Sequence, residues 1–474
     1  MTVEKEMRVL SFFAGIGGIE LGLEWAGSGG GPAGWGGFSS PPAGSAFRTV
    51  GQVELEPYAI RVLEARWPGV QRIGDITKLP AGSLPEADLW CGGFPCQDIS
   101  ILRNTRSVAW RSAGIRGARS GLFFDWMRLA AEARPPMILM ENVGALLFRG
   151  LDAVLAELAS MGYGAEWECV PAGALGAWHR RDRVFVLALS PESPVRPGRW
   201  AGHGRRGLVR ALAARNRFGP WAVDPGLPRL VPRSKTVEDR LERLGNAVVP
   251  QVAEALGAML LDQSEEPSAG VPFARLGPDG EWAAAKGFPG MRGDFAGPWP
   301  RSGTMEGGVA SARRPCLCPL RSAGFAVRTL SGWDGTNPGG GFTLSRGQWP
   351  TPTGLTGTCV PSAPTELLLS GGRSHGWDLD TAVLDPISGD PARAWPTPRG
   401  MDGVMGNPFR SKDQADSSGH SLLLSEVVSY LEADGDGGMP KDVRLNPEWV
   451  EWLMGFPRGW TEVGTETWRT PPGV

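Results

Sequence analysis

Short apolar strands alternate with helical segments through residue 262, and this alternation restricts the possible folds more than any other feature of the sequence. It predicts an α/β fold whose parallel sheet is covered by helices on both faces. In such sheets, ligands bind beyond the carboxyl ends of the strands. The predicted strands are 8–13, 49–54, 88–91, 137–140 and 183–189. The predicted helices are 19–25, 57–66, 122–133, 151–160 and 248–261.

The length of 474 residues favours two domains, because one core rarely serves so long a chain. The first is predicted over residues 1–262, with a flexible surface insertion at 27–46 that is rich in Gly, Pro and Ser. Residues 263–474 are rich in Gly, Pro, Ser and Trp and predict a loop-rich second domain. Within it, Trp-Pro-Thr-Pro at 349–352 recurs at 395–398, as a weak internal repeat or as two similar turns.

The sequence predicts neither a membrane span nor a metal site. It has no run of about eighteen apolar residues, and its charged N-terminus lacks the long apolar stretch of a signal peptide. The six cysteines are scattered and do not form a disulfide framework. Cys316 and Cys318 lie close together, but no second pair or nearby histidine completes a zinc site. These features predict a protein of a reducing cytoplasm.

Charge is unevenly distributed in a chain whose net charge is only −2. Residues 180–243 carry fifteen Arg or Lys against six Asp or Glu. This basic segment is either a footprint for nucleic-acid phosphates or a solvated arginine-rich surface, and charge alone does not separate the two.

A glycine-rich turn at 14–18 follows the first predicted strand and precedes a helix, where the backbone can approach a ligand closely. Glu54 ends the second strand, and a carboxylate there can hold ribose hydroxyls. Asp75 stands at the end of a third strand, after Arg72-Ile73-Gly74. This order predicts an adenosine-type ligand, without separating S-adenosylmethionine from a dinucleotide. Asp75 taken alone is equally a helix cap.

Cys96 follows Gly-Gly-Phe-Pro in a loop directly after a predicted strand. Lone cysteines are usually buried structural residues, and Cys91 within the strand fits that description. A cysteine at the mouth of the cleft, with helix-start amides or arginines nearby to lower its pKa, is instead a candidate nucleophile.

Two further groups of polar residues stand at strand ends. Glu141 and Asn142 follow four apolar strand residues, and a carboxylate buried there would keep its proton and could donate it to a ring nitrogen. The alternative is a helix cap for the next segment. Arg181 and Arg183, two positions apart at a strand start, would share one face and could bind an anion.

Five motifs, taken in order, resemble those of the cytosine-5 DNA methyltransferases over roughly the first 260 residues. The resemblance implies a Rossmann-like S-adenosylmethionine-dependent fold and methyl transfer to carbon-5 of a cytosine flipped out of the duplex. The motifs are a cofactor loop at 13–18, a catalytic loop at 92–97, a glutamate motif at 141–143, an arginine motif at 179–183 and a final motif at 245–250.

The resemblance also implies a role for each catalytic position. Cys96 would attack carbon-6 of the cytosine, and Glu141 would bind ring nitrogen 3 and the amino group. Arg181 would help to hold the flipped base, while Asn142 and Arg183 would shape the pocket. Contacts with the cofactor, S-adenosylmethionine, are expected from Phe13, Gly15, Ile16, Gly17, Glu54, Leu55, Asp75, Ile76, Pro95, Leu122 and Asn246.

The chain departs from the family pattern in three places. His179 replaces the usual glutamine of the arginine motif, and Leu55 stands where an aromatic residue often packs on adenine. Only about sixty residues separate Arg183 from the final motif, which is too few for a target-recognition domain. Residues 455–460, Gly-Phe-Pro-Arg-Gly-Trp, resemble a segment that the family places before its final motif. Target recognition is therefore predicted in the C-terminal half of the chain. This half resembles the tails of phage-encoded methyltransferases. A degenerate tail is the alternative.

The expected partner is double-stranded DNA, with a possible cognate restriction endonuclease and a monomeric protein. A nicotinamide oxidoreductase would explain the glycine turn and Glu54, but not Cys96, Glu141 and the arginine pair. An RNA cytosine methyltransferase would share the chemistry, and phosphate contacts alone do not distinguish the two. A non-catalytic DNA-binding protein would keep the fold without turnover.

Overall fold

The structure is a computed structural model. It describes residues 6–28, 45–95, 115, 121–179, 181–195, 209, 212–213, 216, 221, 225–262, 270–284, 299–313 and 443–464. Most of the predicted insertion at 27–46 and both Trp-Pro-Thr-Pro segments lie outside these residues.

The described residues up to 262 form the alternating pattern that the sequence predicts. Helices 57–66, 122–133 and 151–160 have the predicted bounds. The strands are β1 (Met7–Phe12), β2 (Phe47–Val53), β3 (Gln71–Ile73), β4 (Leu89–Gly93), β5 (Met137–Val143), β6 (Gly164–Pro171), β7 (Asp182–Leu189) and β8 (Leu230–Pro232). The helices are α1 (Gly18–Gly27), α2 (Pro57–Arg66), α3 (Leu122–Ala133), α4 (Leu146–Arg149), α5 (Leu151–Ser160), α6 (Lys235–Asn246) and α7 (Pro250–Leu261).

The strand order β6-β7-β5-β4-β1-β2-β3 confirms the predicted α/β, Rossmann-like fold. Strands β1 to β5 are parallel, whereas β7 pairs antiparallel with both β5 and β6. The chain leaves β1 in one direction to β2 and β3 and returns to its other side as β4, so the topological switch point lies between β1 and β4. Ligands of open α/β sheets bind at that point.

Strand β6 was not predicted, because two glutamates interrupt its apolar pattern. Glu166 and Glu168 are nonetheless buried. Glu166 is paired with Arg313, whose Nη1 lies 3.0 Å from its Oε2. Arg313 lies 147 positions further along the sequence. A burial that depends on so distant a partner leaves no local signal in the sequence.

The sheet continues into the second half of the chain. Strands β9 (Val271–Leu276), β10 (Trp282–Ala284), β11 (Ser302–Glu306) and β12 (Val309–Ala312) extend it from β6 in the order β11-β12-β9-β10, all antiparallel. The indole of Trp282 donates to the carbonyl of Asp152, which ties this extension to α5. The division expected between residues 262 and 263 therefore does not coincide with a break in the sheet.

Residues 443–464, here called the C-terminal segment, also pack into the first half of the chain. Strand β13 (Val443–Leu445) pairs antiparallel with β8, and helix α8 (Pro447–Leu453) follows. Helix α8 ends at Leu453, and Gly455, two residues later, has a φ of 75° and lies outside the helical conformation. Trp449, Trp452 and Trp460 are fully buried in one core with α1, α2 and α7.

The two faces of the sheet carry separate cores, since successive strand residues point to opposite sides. Val9 belongs to the core that includes α1, α2 and α7, whereas Leu10 belongs to the core under α3 and α5. Of the described residues, one helical stretch, Lys235–Leu261, has the length and apolar composition of a membrane span, but 83% of its apolar window is buried inside the protein. That burial is typical of a core helix.

Candidate functional site

The cofactor loop leaves β1 in a conformation that favours glycine. Phe13, Gly15 and Gly17 all have a positive φ, of 51°, 56° and 83°. A Cβ at Gly17 would collide with the ring of Trp67, which leaves no room there for a side chain. Beside Gly15 the situation is reversed, since no described atom lies within 4 Å of the place a Cβ would take. The loop is thus packed on one side and open on the other.

Replacing Gly17 with alanine should destabilise the protein more than the same change at Gly69. Both glycines have a left-handed backbone conformation, with φ of 83° and 87°, so an alanine at either position lowers the free energy of unfolding by about 1 kcal/mol through backbone strain. Only Gly17→Ala also meets Trp67, which adds about 1–3 kcal/mol of overpacking. Urea unfolding of both variants measures the difference. Equal destabilisation would contradict the packing of the loop against Trp67.

Glu54 stands directly beside the cofactor loop. Its Oε2 accepts a hydrogen bond from the amide of Gly15 at 2.7 Å, and its Oε1 accepts from the amides of Leu55 and Glu56 at 2.8 Å each. The carboxylate therefore fixes both the loop and the turn after β2. The neighbouring side chain, Leu55, is 56% exposed and offers an apolar surface at the same edge.

Asp75 caps a short 3₁₀ turn, which was the alternative that the sequence left open. Its Oδ1 accepts from the amide and the hydroxyl of Thr77, at 3.0 and 2.8 Å. These hydrogen bonds, with Lys78 nearby, hold the pKa of Asp75 below its usual value. Ile76 is buried at the start of that turn. A cap of this kind does not exclude a cofactor contact, which stays a prediction.

The end of β4 lies against the glutamate motif. Gly93 pairs with Glu141 in the sheet, and a Cβ at Gly93 would lie only 2.7 Å from Oε2 of that glutamate. The side-chain amide of Asn142 donates to the backbone carbonyl of Phe94 at 3.0 Å, so the chain is held immediately before Pro95. Cys96, the predicted nucleophile, is the next residue in the sequence and lies outside the described residues.

Glu141 is largely buried, with 12% of its side chain exposed, and is paired with Arg183, whose Nε lies 3.0 Å from its Oε1. Burial raises the pKa of Glu141, while the charges of Arg183 and Arg181 oppose that shift. The rise is the direction expected for a carboxyl that holds a proton. Contrary to the helix-cap alternative, Glu141 and Asn142 lie within β5, which extends to Val143.

Arg181 lies just before β7 with a φ of 35°, so the strand alternation expected to align it with Arg183 does not apply to it. It is buried, and its Nη2 donates to the backbone carbonyls of Gly245 and Ala247. These two carbonyls flank Asn246, whose side chain is exposed. Arg181 therefore joins the arginine motif to the final motif. Its contact with a flipped base stays a prediction.

His179 is buried, and its Nε2 lies 3.0 Å from the carbonyl of Leu453. Burial lowers the pKa of His179 to about 3, so the ring is neutral and Nε2 carries the proton that it donates. The histidine that replaces the family's glutamine thus contacts the C-terminal segment.

Some residues around the site were not anticipated. Trp126 of α3 packs edge-on against Phe13 with ring centroids 5.9 Å apart. Asp182, between the two arginines, is ion-paired with Arg301 at 2.8 Å. No periodicity in the sequence links Arg301 with Asp182, so only the folded sheet reveals this pair.

Leu122, one of the predicted cofactor contacts, lies at the first position of α3, as the predicted helix 122–133 implies.

Within the described ranges, no group of three or more His, Cys, Asp or Glu side chains could hold a metal ion. Cys316 and Cys318 lie outside those ranges. The polar residues that the structure brings together at the carboxyl edge of the sheet are instead carboxylates, amides and arginines.

Comparisons with known proteins place similarity in the first half of the chain. Residues 7–206 match the family model of C-5 cytosine-specific DNA methylases. Type II methyltransferase M2.BsuMI of Bacillus subtilis (strain 168) is 35% identical over 196 residues, which cover 40% of this chain and 43% of that protein. Type II methyltransferase M.CviJI of Paramecium bursaria Chlorella virus IL3A is 32% identical, over 38% of this chain and 43% of its own length.

These alignments span less than half the length of both relatives. Among solved structures, a putative DNA modification methyltransferase encoded within a prophage of E. coli is 23% identical, with a TM-score of 0.29, over 39% of this chain and 47% of that one. The final motif and the C-terminal segment lie beyond the residues that the family model matches.

Proposed function

Residues 7–206 carry a C-5 cytosine-specific DNA methylase domain, and we propose from this premise that the chain transfers a methyl group from S-adenosylmethionine to carbon-5 of cytosine in duplex DNA. The observation that carries the proposal is the junction of β4 and β5. There a largely buried glutamate with a raised pKa, Glu141, lies against the residues that immediately precede Cys96.

The cofactor edge of the sheet fits S-adenosylmethionine. Glu54 places a carboxylate beside the loop, where ribose hydroxyls would bind, and exposed Leu55 offers an apolar surface to adenine. The open space beside Gly15 leaves room for a ligand against the backbone. Ile16, Gly17, Asp75, Ile76, Pro95, Leu122 and Asn246 complete the proposed contacts. When bound, S-adenosylmethionine supplies an electrophilic methyl group on its sulfonium.

The addition step and the proton transfer at the ring use residues of this chain. The thiolate of Cys96 attacks carbon-6 of a flipped cytosine and forms a carbon–sulfur bond, which places electron density on carbon-5. Glu141 supplies a proton at ring nitrogen 3 and stabilises the electron-rich ring. Carbon-5 then takes the methyl group, and the rest of the donor leaves as a neutral thioether. A base removes the proton from carbon-5, the electron pair of that bond forms the carbon-5–carbon-6 double bond and expels the Cys96 thiolate, and ring nitrogen 3 returns its proton to Glu141.

Arg183 positions the carboxyl of Glu141 through their ion pair, and Asn142 fixes the backbone before Pro95. The match of residues 7–206 to DNA methylases supports duplex DNA as the partner, and the basic segment at 180–243 would supply positive charge to its phosphates. We propose that target recognition lies in residues 263–474 and that the protein acts as a cytoplasmic monomer. The type II names of the relatives support a cognate endonuclease as a possible partner.

The direct test is incubation of the full chain with tritiated S-adenosylmethionine and plasmid DNA, followed by nuclease digestion and chromatography of the nucleosides. We expect the label in 5-methyldeoxycytidine. In a parallel incubation with RNA in place of plasmid DNA, label in 5-methylcytidine, with none in the DNA, would assign the activity to RNA. Cofactor binding without label in either would favour a non-catalytic protein, and binding of a nicotinamide dinucleotide instead would favour an oxidoreductase.

A further inference from the structure

The C-terminal segment, residues 443–464, makes direct contact with the cofactor loop, although more than 400 positions separate the two in sequence. The indole Nε1 of Trp460 donates to the carbonyl of Ile16 at 2.8 Å. A Cβ at Gly18 would lie 3.2 Å from Cζ of Phe456. Two residues of the loop therefore rest on side chains from the other end of the described chain.

Trp460 also supports the loop through Trp67. The two rings meet edge-on with centroids 5.6 Å apart. Trp67 is the ring that fills the space beside Gly17. One buried tryptophan thus contacts the loop directly at Ile16 and, through Trp67, indirectly at Gly17.

The segment itself is held in a fixed position. Glu451 is fully buried, pairs with Arg240 at 3.0 Å and accepts from the amides of Gly459 and Thr461 at 2.7 and 2.8 Å. The guanidinium of Arg66 donates to the carbonyls of Gly459 and Trp460. These charge-assisted hydrogen bonds fix the turn that carries Trp460, so the indole meets Ile16 in one orientation.

The first turn of helix α7 also holds the C-terminal segment in place. The side chain of Gln251 donates to the carbonyl of Gly455 at 2.8 Å, just before Phe456. On the other side, the Leu453 carbonyl accepts from His179 of the arginine motif. The segment therefore contacts the arginine motif, the cofactor loop and the first turn of α7, which begins at the last residue of the final motif.

We propose that Trp460 is a positioning residue for cofactor binding, and that the C-terminal segment fixes the cofactor loop in the conformation that binds S-adenosylmethionine. This inference rests on the proposed function. Residues 443–464 lie beyond those that the family model matches and after the final motif, so the cofactor site of this chain depends on a segment supplied from its C-terminal region.

Trp460→Phe tests the proposal, because it keeps an aromatic ring and removes the indole N–H. The carbonyl of Ile16 then loses its partner. We expect the dissociation constant of S-adenosylmethionine to rise about threefold to tenfold, because one net hydrogen bond that fixes the loop is lost. Isothermal titration calorimetry on the full chain measures this constant. The KM for S-adenosylmethionine should rise with it, while kcat stays within about twofold, since Trp460 does not touch the reacting atoms.

Trp282→Phe is the matched control. Its indole donates to a backbone carbonyl at 3.0 Å, that of Asp152, and it is likewise buried, but it lies in the sheet extension on the opposite face. Both variants should lower the melting temperature to a similar degree. Only Trp460→Phe should weaken cofactor binding.

The outcomes are distinct. Weaker binding in Trp460→Phe alone supports the proposal. Equal affinity in the wild type and both variants overturns it and leaves the proposed function standing. Equal weakening in both variants also overturns it, because a general loss of stability then explains the effect. No binding by the wild-type chain overturns the proposed function and this inference with it.

Discussion

Cys96→Ser is expected to abolish the covalent adduct between this protein and duplex DNA that contains 5-fluorocytosine. Fluorine at carbon-5 blocks the final proton removal, so the thiol of a working enzyme stays bonded to carbon-6 after methyl transfer. Serine is a far weaker nucleophile at neutral pH, and we expect turnover on ordinary DNA to fall by about 10⁴-fold or more. Denaturing electrophoresis after incubation with S-adenosylmethionine detects the adduct.

Cys91→Ser is the matched control, since it makes the same chemical change five residues earlier. Cys91 is fully buried in β4, and burial raises its pKa well above the usual value, so it is no candidate nucleophile. This variant should be less stable but should still form the adduct. An adduct in Cys96→Ser would sink the assignment of the nucleophile, and loss of the adduct in both variants would point to a folding defect.

Glu141→Gln is expected to lower kcat by about 10²-fold to 10³-fold while cofactor affinity stays unchanged. Glutamine has the same shape and can still accept a hydrogen bond from Arg183, but it cannot donate an acidic proton to ring nitrogen 3. Steady-state kinetics with tritiated S-adenosylmethionine measure kcat, and calorimetry measures cofactor binding. Glu168→Gln is the control, because it neutralises another buried glutamate, on β6. Its kcat should remain near that of the wild type.

The pH profile gives a second test of Glu141. Burial raises its pKa in the folded protein, so the carboxyl keeps its proton to a higher pH than in the unfolded chain. Activity that requires the protonated form is present below the raised pKa and is lost as the pH rises through it. The wild-type profile should therefore fall on the alkaline side. The residual activity of Glu141→Gln should lack that fall, and an unchanged profile would argue against Glu141 as the proton donor.

The motifs and most of the fold up to residue 262 could be predicted from local sequence. The apolar strands, the glycine turn and the acidic residues at strand ends are short-range patterns, and the structure places Glu54 and Glu141 at the carboxyl edge as expected. Sequence patterns failed where a residue has a distant partner. Strand β6 was missed because Glu166 is buried against Arg313, a distant residue, and the antiparallel direction of β7 left no mark on its own residues.

The proposed chemistry follows from the sequence by itself, because a carboxyl, a thiol and a glycine turn act through their own residue types at fixed positions in the chain. Only the tertiary structure decided how the two halves combine. The strands after residue 270 join the central sheet, and Trp460 meets Ile16, because burying apolar strand faces and indoles removes them from water whatever their separation in sequence. A contact between such distant positions depends on the complete fold, so it left no short-range pattern in the sequence.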